Sequence, residues 1–261
     1  MGVYNESLRS EKKRVVTEDG SETLYSMEFN EAYHSARDGA LNESLQKHVR
    51  PAFRFTNDKE QKAILDICFG LGYNTLATLH HVKKEQLSTK VHIISPEFDR
   101  GLVESLNSFE YPEEFRPFKP VIDQLSRDFF YEDEQFTIEI LIGDARKTIP
   151  EIDTKFDVVY QDAFSPKQNP LLWTREYFAQ IRAAIKEDAV LTSYSVAAAV
   201  RMGLHETGFN LFMLSGNNVR DWMIASPRML EIEPIDMALK KRRNPDAKSL
   251  RDAMYTDKEN K

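Results

Sequence analysis

From Ala63 onward, short apolar runs recur along the chain at 64–68, 91–95, 138–142, 156–160, 190–194, 210–214 and 222–225. Rich in Ile, Val, Leu and Phe, they read as buried strands. The segments 74–81, 174–186 and 196–207 between them carry helix-compatible spacing. Strands alternating with helices predict βαβ units and a mainly parallel sheet. The last two runs are joined only by a short polar link beginning Ser215-Gly-Asn-Asn218. That is too short for a crossover helix, so this pair should close one edge as an antiparallel hairpin.

The first 60 residues differ. Strand-like runs at 14–17 and 23–25 flank Glu18-Asp-Gly20-Ser21, and an Asp-Gly between two such runs signals a hairpin. Polar stretches at 31–35 and 39–43 follow, with helical leanings. The expected organisation is an N-terminal hairpin and helix cap over 1–60, an α/β domain over 61–230, and a charged tail over 231–261 docked loosely as a helix.

Composition adjusts this picture in a few places. With 261 residues and 41% hydrophobic content, the chain can bury a full core. No apolar run approaches the roughly 18 residues of a membrane span. Residues 1–14 lack the apolar stretch of a secretory signal. One cysteine, Cys68, excludes an internal disulfide and suits a reducing compartment, so a cytoplasmic protein is expected. A net charge of −7 argues against a nonspecific nucleic-acid binder. It leaves room for a local patch such as Lys240-Lys-Arg-Arg243, with Lys248 and Arg251 nearby, which reads equally as a solvated helix end. The six histidines show no metal-ligand spacing with the cysteine, and no metal is expected.

Candidate chemistry gathers where strands end. Ile64-Leu-Asp-Ile-Cys-Phe-Gly70-Leu-Gly72-Tyr-Asn74 is a strand, a glycine turn and a helix start. A dinucleotide fingerprint needs a third glycine where Thr75 stands, which weakens a nicotinamide reading. Glu97 ends the second strand, where a carboxylate can accept both hydroxyls of a ribose; Asp99 is its rival. Asp144, followed by Ala145, ends the third strand, where such an acid usually faces an adenine amine. Asp162 ends the fourth and opens the stiff loop Asp162-Ala-Phe-Ser-Pro-Lys-Gln-Asn-Pro170. Each of these alone is as easily a turn, a helix cap or a solvated acid. Together, in order, they point to an S-adenosylmethionine-type site at the carboxyl edge of the sheet.

With these residues assembled, the chain resembles the methyltransferases that complete 5-methylaminomethyl-(2-thio)uridine at the tRNA wobble position. These occur as free-standing proteins or as the N-terminal half of a bifunctional enzyme. The resemblance starts with Asp19, Gly20, Ser21, Thr23, Leu24, Glu31, Tyr33, Ser35, Gly39 and Glu43. It runs on through Phe69-Gly-Leu-Gly-Tyr-Asn74 and the specific pattern Asp162-Ala-Phe-x-Pro-x-x-Asn-Pro-x-x-Trp173, to Val200-Arg-Met-Gly-Leu204 and Gly208-Phe209. It departs at Cys68, where the family has glycine and a cysteine fits if its dihedrals are ordinary. It departs again at Val219-Arg-Asp-Trp222, which keeps only Arg220 and an acid of the usual run. No flavin-binding half is expected in this chain, so another route would supply the aminomethyl group.

The resemblance implies a Rossmann-like class I methyltransferase with a seven-stranded sheet, S-adenosyl-L-methionine as cofactor and the tRNA anticodon loop as partner. It places Glu31, Tyr33, Gly70, Gly72, Asn74, Glu97, Asp144 and Ala145 at the cofactor. Asp162 would hold the substrate ammonium and accept its proton or pass it to water, unless it caps a helix or binds the cofactor's own ammonium. Pro166, Asn169 and Pro170 would stiffen the loop. Phe164 and Trp173 would either stack on the flipped base or pack in the core. Arg201 and Arg220 are candidate phosphate contacts, with Arg201 equally a helix-face ion pair. Cys68 reads as inert and buried. Two other functions fit the same pattern: a spermidine-type aminopropyltransferase, and a non-catalytic RNA- or cofactor-binding protein of the same fold.

Overall fold

The computed structural model describes residues 12–56, 59–216 and 219–255. Three short strands, β1 (Lys12–Val16), β2 (Glu22–Ser26) and β3 (Glu31–Ala32), form a small antiparallel sheet. Asp19 in the β1–β2 turn accepts from the Ser21 amide at 3.0 Å and from the Asn42 amide at 2.9 Å, so one carboxylate closes the turn and seats the next helix. Gly39 allows this. Its φ is +83°, and a Cβ there would lie 2.0 Å from the Asp19 carboxyl carbon.

The helical run that follows is α1 (Ala40–Glu43), a π-helical stretch Ser44–Val49 and α2 (Arg50–Phe55). The wide turn matters because adjacent residues Lys47 and His48 are both buried. Lys47 bonds Asp38 at 2.6 Å and Glu43 at 2.8 Å, while His48 reaches the main sheet.

That sheet has eight strands: β4 (Gln61–Ile67), β5 (Lys90–Glu97), β6 (Phe130–Glu132), β7 (Phe136–Ile142), β8 (Phe156–Gln161), β9 (Ile185–Ser193), β10 (Asn210–Gly216) and β11 (Val219–Ser226). Their order is β10-β11-β9-β8-β4-β5-β7-β6. The five central strands run parallel; β11 and β6 run antiparallel to them, and β10, paired antiparallel to β11, points the same way as the central five. The seven expected strands are present, and β6 adds an eighth. Its Phe130-Tyr-Glu132 is too short and too exposed to announce itself as an apolar run. Likewise β9 begins at Ile185, inside the segment expected to be helical to 186.

Helices α3 (Tyr73–Lys84), α4 (Arg100–Ser105) and α5 (Lys119–Asp128) cover one face, and α6 (Ala145–Thr148), α7 (Arg175–Ala184) and α8 (Ala198–Glu206) the other. Alternate strand residues divide accordingly. Ile64, Ile93 and Val158 pack with Leu76 and Ile122, whereas Leu65, Ile94 and Val159 pack with Phe178 and Leu204. Two covered faces explain why the strand runs are almost continuously apolar.

The tail corrects the expectation of loose docking. After β11 the chain pairs Pro234 with Phe212, forms α9 (Met237–Arg243), and pairs Leu250 with Thr174. Ser249 donates to Glu206 at 2.8 Å, Arg251 to Glu176 at 2.6 Å, and Arg146 pairs with Asp252. Lys240, Lys241, Arg242 and Arg243 form the exposed end of α9.

Candidate active site

The carboxyl ends of β4, β5, β7 and β8 open into one cavity of about 360 Å³. Gly70, Asn74, Glu97, Asp144, Ala145, Asp162, Phe164, Asn169 and Tyr33 all line it. The turn after β4 forms its floor. Gly72, at φ +72°, caps α3, and a Cβ there would meet the Phe69 ring at 2.8 Å. Gly72 thus shapes the turn without lining the cavity itself. Cys68 has φ +65°, so the condition of ordinary dihedrals fails and a non-glycine residue holds a left-handed conformation. Its thiol is pushed well up by burial, and next by the surrounding carboxylates, which disfavours the thiolate.

Glu97 ties two of the walls. Its Oε2 accepts from the Gly70 amide at 2.7 Å and its Oε1 from the Asp99 amide at 2.8 Å. Burial pushes its pKa up against those two bonds. Asp99 is spent differently: it caps α4 through the Leu102 amide at 2.8 Å and pairs with Lys12. Asp144 caps α6 through the Arg146 amide at 2.9 Å.

Asp162 sits at the inner end. Asn74 Nδ2 donates to its Oδ2 at 2.8 Å, and His48 Nε2 stands 3.4 Å from its Oδ1. Burial alone would raise this acid; His48, His34 and Asn74 outweigh that and hold it below the usual carboxylate range. His34 also lines the cavity, its pKa lowered by burial, and contacts Thr23 at 3.2 Å. Neither histidine was singled out from the sequence, because nothing local marks a cap residue as facing a strand-end acid.

Side chains, more than prolines, hold the Asp162 loop. Tyr194 donates to the Ala163 carbonyl at 2.9 Å, and Trp173 Nε1 to the Phe164 carbonyl at 2.8 Å. Glu31 Oε2 accepts from the Ser165 amide at 3.0 Å and hydroxyl at 2.8 Å. Phe29 stacks on Phe164 with centroids 4.5 Å apart, and Tyr33 meets it edge-on at 4.9 Å.

Several expectations need correction. Trp173 is 0% exposed and cannot stack on an incoming base; it is a strut under the loop. Glu31 reaches Ser165 and is absent from the cavity lining, as is Pro166. Arg220 pairs with Asp38 at 3.2 Å and Ser35 at 3.1 Å, joining β11 to the cap. Arg201, on α8, also lies outside the lining residues. Tyr255 and Arg146, which drew no attention in the sequence, do line the cavity.

The donor set fits a nucleoside carrying a cationic chain. Five carboxylates, Glu28, Glu97, Asp99, Asp144 and Asp162, line a largely apolar space, and Asn74 Oδ1 is a buried acceptor without a partner among the described residues. Among the described residues, no group of three or more His, Cys, Asp or Glu side chains could hold a metal ion, and no helix is long and apolar enough to cross a membrane.

Comparison with known proteins defines the class. Residues 112–225 match the family described as S-adenosyl-L-methionine-dependent methyltransferase. The crystal structure of MnmC2 from Aquifex aeolicus superposes with a TM-score of 0.81 and 34% identity, covering 93% of this chain and 79% of that one. The chain belongs to this family of S-adenosyl-L-methionine-dependent methyltransferases. An uncharacterized protein of Methanocaldococcus jannaschii is 34% identical over 209 residues, 77% of this chain and 55% of that protein. The tRNA 5-methylaminomethyl-2-thiouridine biosynthesis bifunctional protein MnmC of Azoarcus sp. is 31% identical over 211 residues, 74% of this chain. The chain thus spans about half of the first relative's length and 32% of the second's.

Proposed function

We propose that this methyltransferase acts on tRNA in the cytoplasm, methylating the aminomethyl nitrogen of 5-aminomethyl-(2-thio)uridine at the wobble position of the anticodon loop. One observation carries this reading: Asp162, bonded by Asn74 and approached by His48, faces the cavity from a loop clamped at three successive residues. The similarity to MnmC and MnmC2 supports the substrate class.

When bound, S-adenosyl-L-methionine supplies a sulfonium methyl, whose C–S bond breaks as the new N–C bond forms, the electron pair staying on sulfur. Glu97 would accept hydrogen bonds from the ribose, and Asp144 with Ala145 would hold the adenine. Gly70, Asn74 and Tyr33 would line the remainder, with Gly72 shaping the turn. Glu31 would act through Ser165.

An aliphatic amine arrives mostly as ammonium, with no lone pair to offer. Asp162 would bind that ammonium by a charge-assisted hydrogen bond, orient it and accept a proton. Phe164 and Asn169, which line the cavity, would meet the base there. The domain limits 1–60, 61–230 and 231–261 are proposed as the functional division of cap, catalytic unit and tail.

The test is mass spectrometry of wobble nucleosides from undermodified tRNA incubated with the protein and S-adenosyl-L-methionine. A gain of one methyl on the aminomethyl nucleoside supports the proposal; polyamine alkylation with no tRNA product would replace it.

A further inference from the structure

His48 is wholly buried, in the π-helical stretch of the cap, with one nitrogen bonded to the main sheet and the other facing the loop after β8. Nδ1 lies 2.9 Å from Thr192 Oγ1 on β9, and Nε2 lies 3.4 Å from Asp162 Oδ1. The Val159 carbonyl lies 3.4 Å from the Thr192 hydroxyl; with the hydroxyl proton directed there, its oxygen accepts from Nδ1–H, the tautomer on which the proposal depends. A neutral ring in that tautomer turns the Nε2 lone pair toward a carboxylate oxygen. In that tautomer the lone pair faces the carboxylate, whose pKa His48 lowers once it carries the proton, and Nε2 has no hydrogen-bond partner among the described residues.

The remaining surroundings do not fill that place. From β4, Asp66 is buried and bonded to Thr75 at 2.9 Å. From β8, the Tyr160 ring stands edge-on to His48 at 5.8 Å, its hydroxyl engaged with Thr78 of α3 at 3.0 Å. From the cap, His34 lines the same cavity and contacts Thr23 at 3.2 Å, within electrostatic reach of Asp162. Lys47, next in the chain, is committed to Asp38 and Glu43.

We propose that His48 is a positioning residue that takes up the substrate's amine proton through Asp162, an inference resting on the amine-substrate proposal above. An N–H bond of the substrate ammonium breaks and its proton moves to Asp162. It passes on to His48 Nε2, leaving carboxylate and imidazolium as a pair. The lone pair stays on nitrogen, free to attack. After turnover the imidazolium returns the proton through Asp162 to water.

The test compares wild type with His48→Asn and His48→Gln on undermodified tRNA across pH, with S-adenosylhomocysteine binding by calorimetry as the check on fold and cofactor site. The expected result is a kcat lower by about 10²-fold at neutral pH, with KM for tRNA changed less than about threefold. The deficit should shrink as pH rises, because more amine arrives already deprotonated. An unchanged kcat, or a deficit equal at every pH, overturns the proposal. Nitrogen NMR of wild type bound to S-adenosylhomocysteine supplies a readout that needs no substrate and no variant. The neutral ring should carry its proton on Nδ1; a neutral ring protonated on Nε2 overturns the proposal. If wild type modifies no tRNA while this signature holds, the substrate assignment falls and the proton site stands.

Discussion

Asn74 and Asp162 are joined by a 2.8 Å hydrogen bond across 88 positions of sequence. The bond links the first turn of α3 to the loop after β8, so the glycine turn and the Asp162 loop are set against each other. The first consequences concern the backbone and the charges that this arrangement places nearby.

Cys68 occupies a left-handed conformation next to the turn. Cys68→Gly should relieve side-chain strain of about 1–2 kcal/mol at an entropic cost of about 0.5–1 kcal/mol. The expected outcome is stability equal to wild type or higher by up to about 1 kcal/mol. Cys68→Val, β-branched, should destabilise instead. Denaturant melts of the three proteins check the order.

Asp66 is buried with Oδ1 unpartnered, and burial pushes its pKa from 3.8 to about 7. A raised carboxyl pKa means the folded state resists ionisation that the unfolded chain accepts. Its relative contribution is therefore intact below 3.8, lost progressively as pH rises, and fully lost above about 7. Asp66→Asn should thus gain on wild type in thermal midpoint across that window and no further above it. Melting curves across the range read this directly; a constant gap would contradict the assignment.

Glu31 acts on the loop and not on the cavity, because both its contacts go to Ser165. Glu31→Gln keeps one acceptor and loses the charge-assisted strength. Turnover should fall severalfold while S-adenosylhomocysteine affinity barely changes. Calorimetry beside steady-state rates separates this from a direct cofactor contact, which would move the affinity most.

Tyr255 brings the tail to the cavity beside Arg146, itself tied to Asp252. Tyr255→Ala should remove an aromatic wall worth about 1 kcal/mol. The dissociation constant for S-adenosylhomocysteine should rise about fivefold, with little change in thermal midpoint.

The sequence made the frame legible because strand runs buried on two faces are short, apolar and separated by helical spacing. β8 is buried at every position, and its acid follows at once. Glu97, Asp144 and Asp162 could be found because a parallel sheet sends successive strand ends to one edge. What escaped depended on long-range packing. His48 meets Thr192 across 144 positions, through a π-helical turn that no periodicity announces. Trp173 stayed open between two readings for a related reason: an aromatic after a stiff loop looks the same in sequence whether it faces a ligand or, as here, supports the loop from beneath. The tail's charges read as solvated, although Arg251 and Asp252 are paired with partners far away in the chain.

The central claim is that Asp162 delivers the amine of a wobble uridine for methylation. Its most direct test is mass spectrometry of wobble nucleosides from undermodified tRNA treated with wild type or Asp162→Asn, alongside S-adenosylhomocysteine binding to both. The account predicts one added methyl on the aminomethyl nucleoside with wild type. With the variant it predicts product formation lower by about 10²-fold or more, although cofactor binding is retained. Equal product from both proteins, or a methyl found at another position of the tRNA, would contradict it.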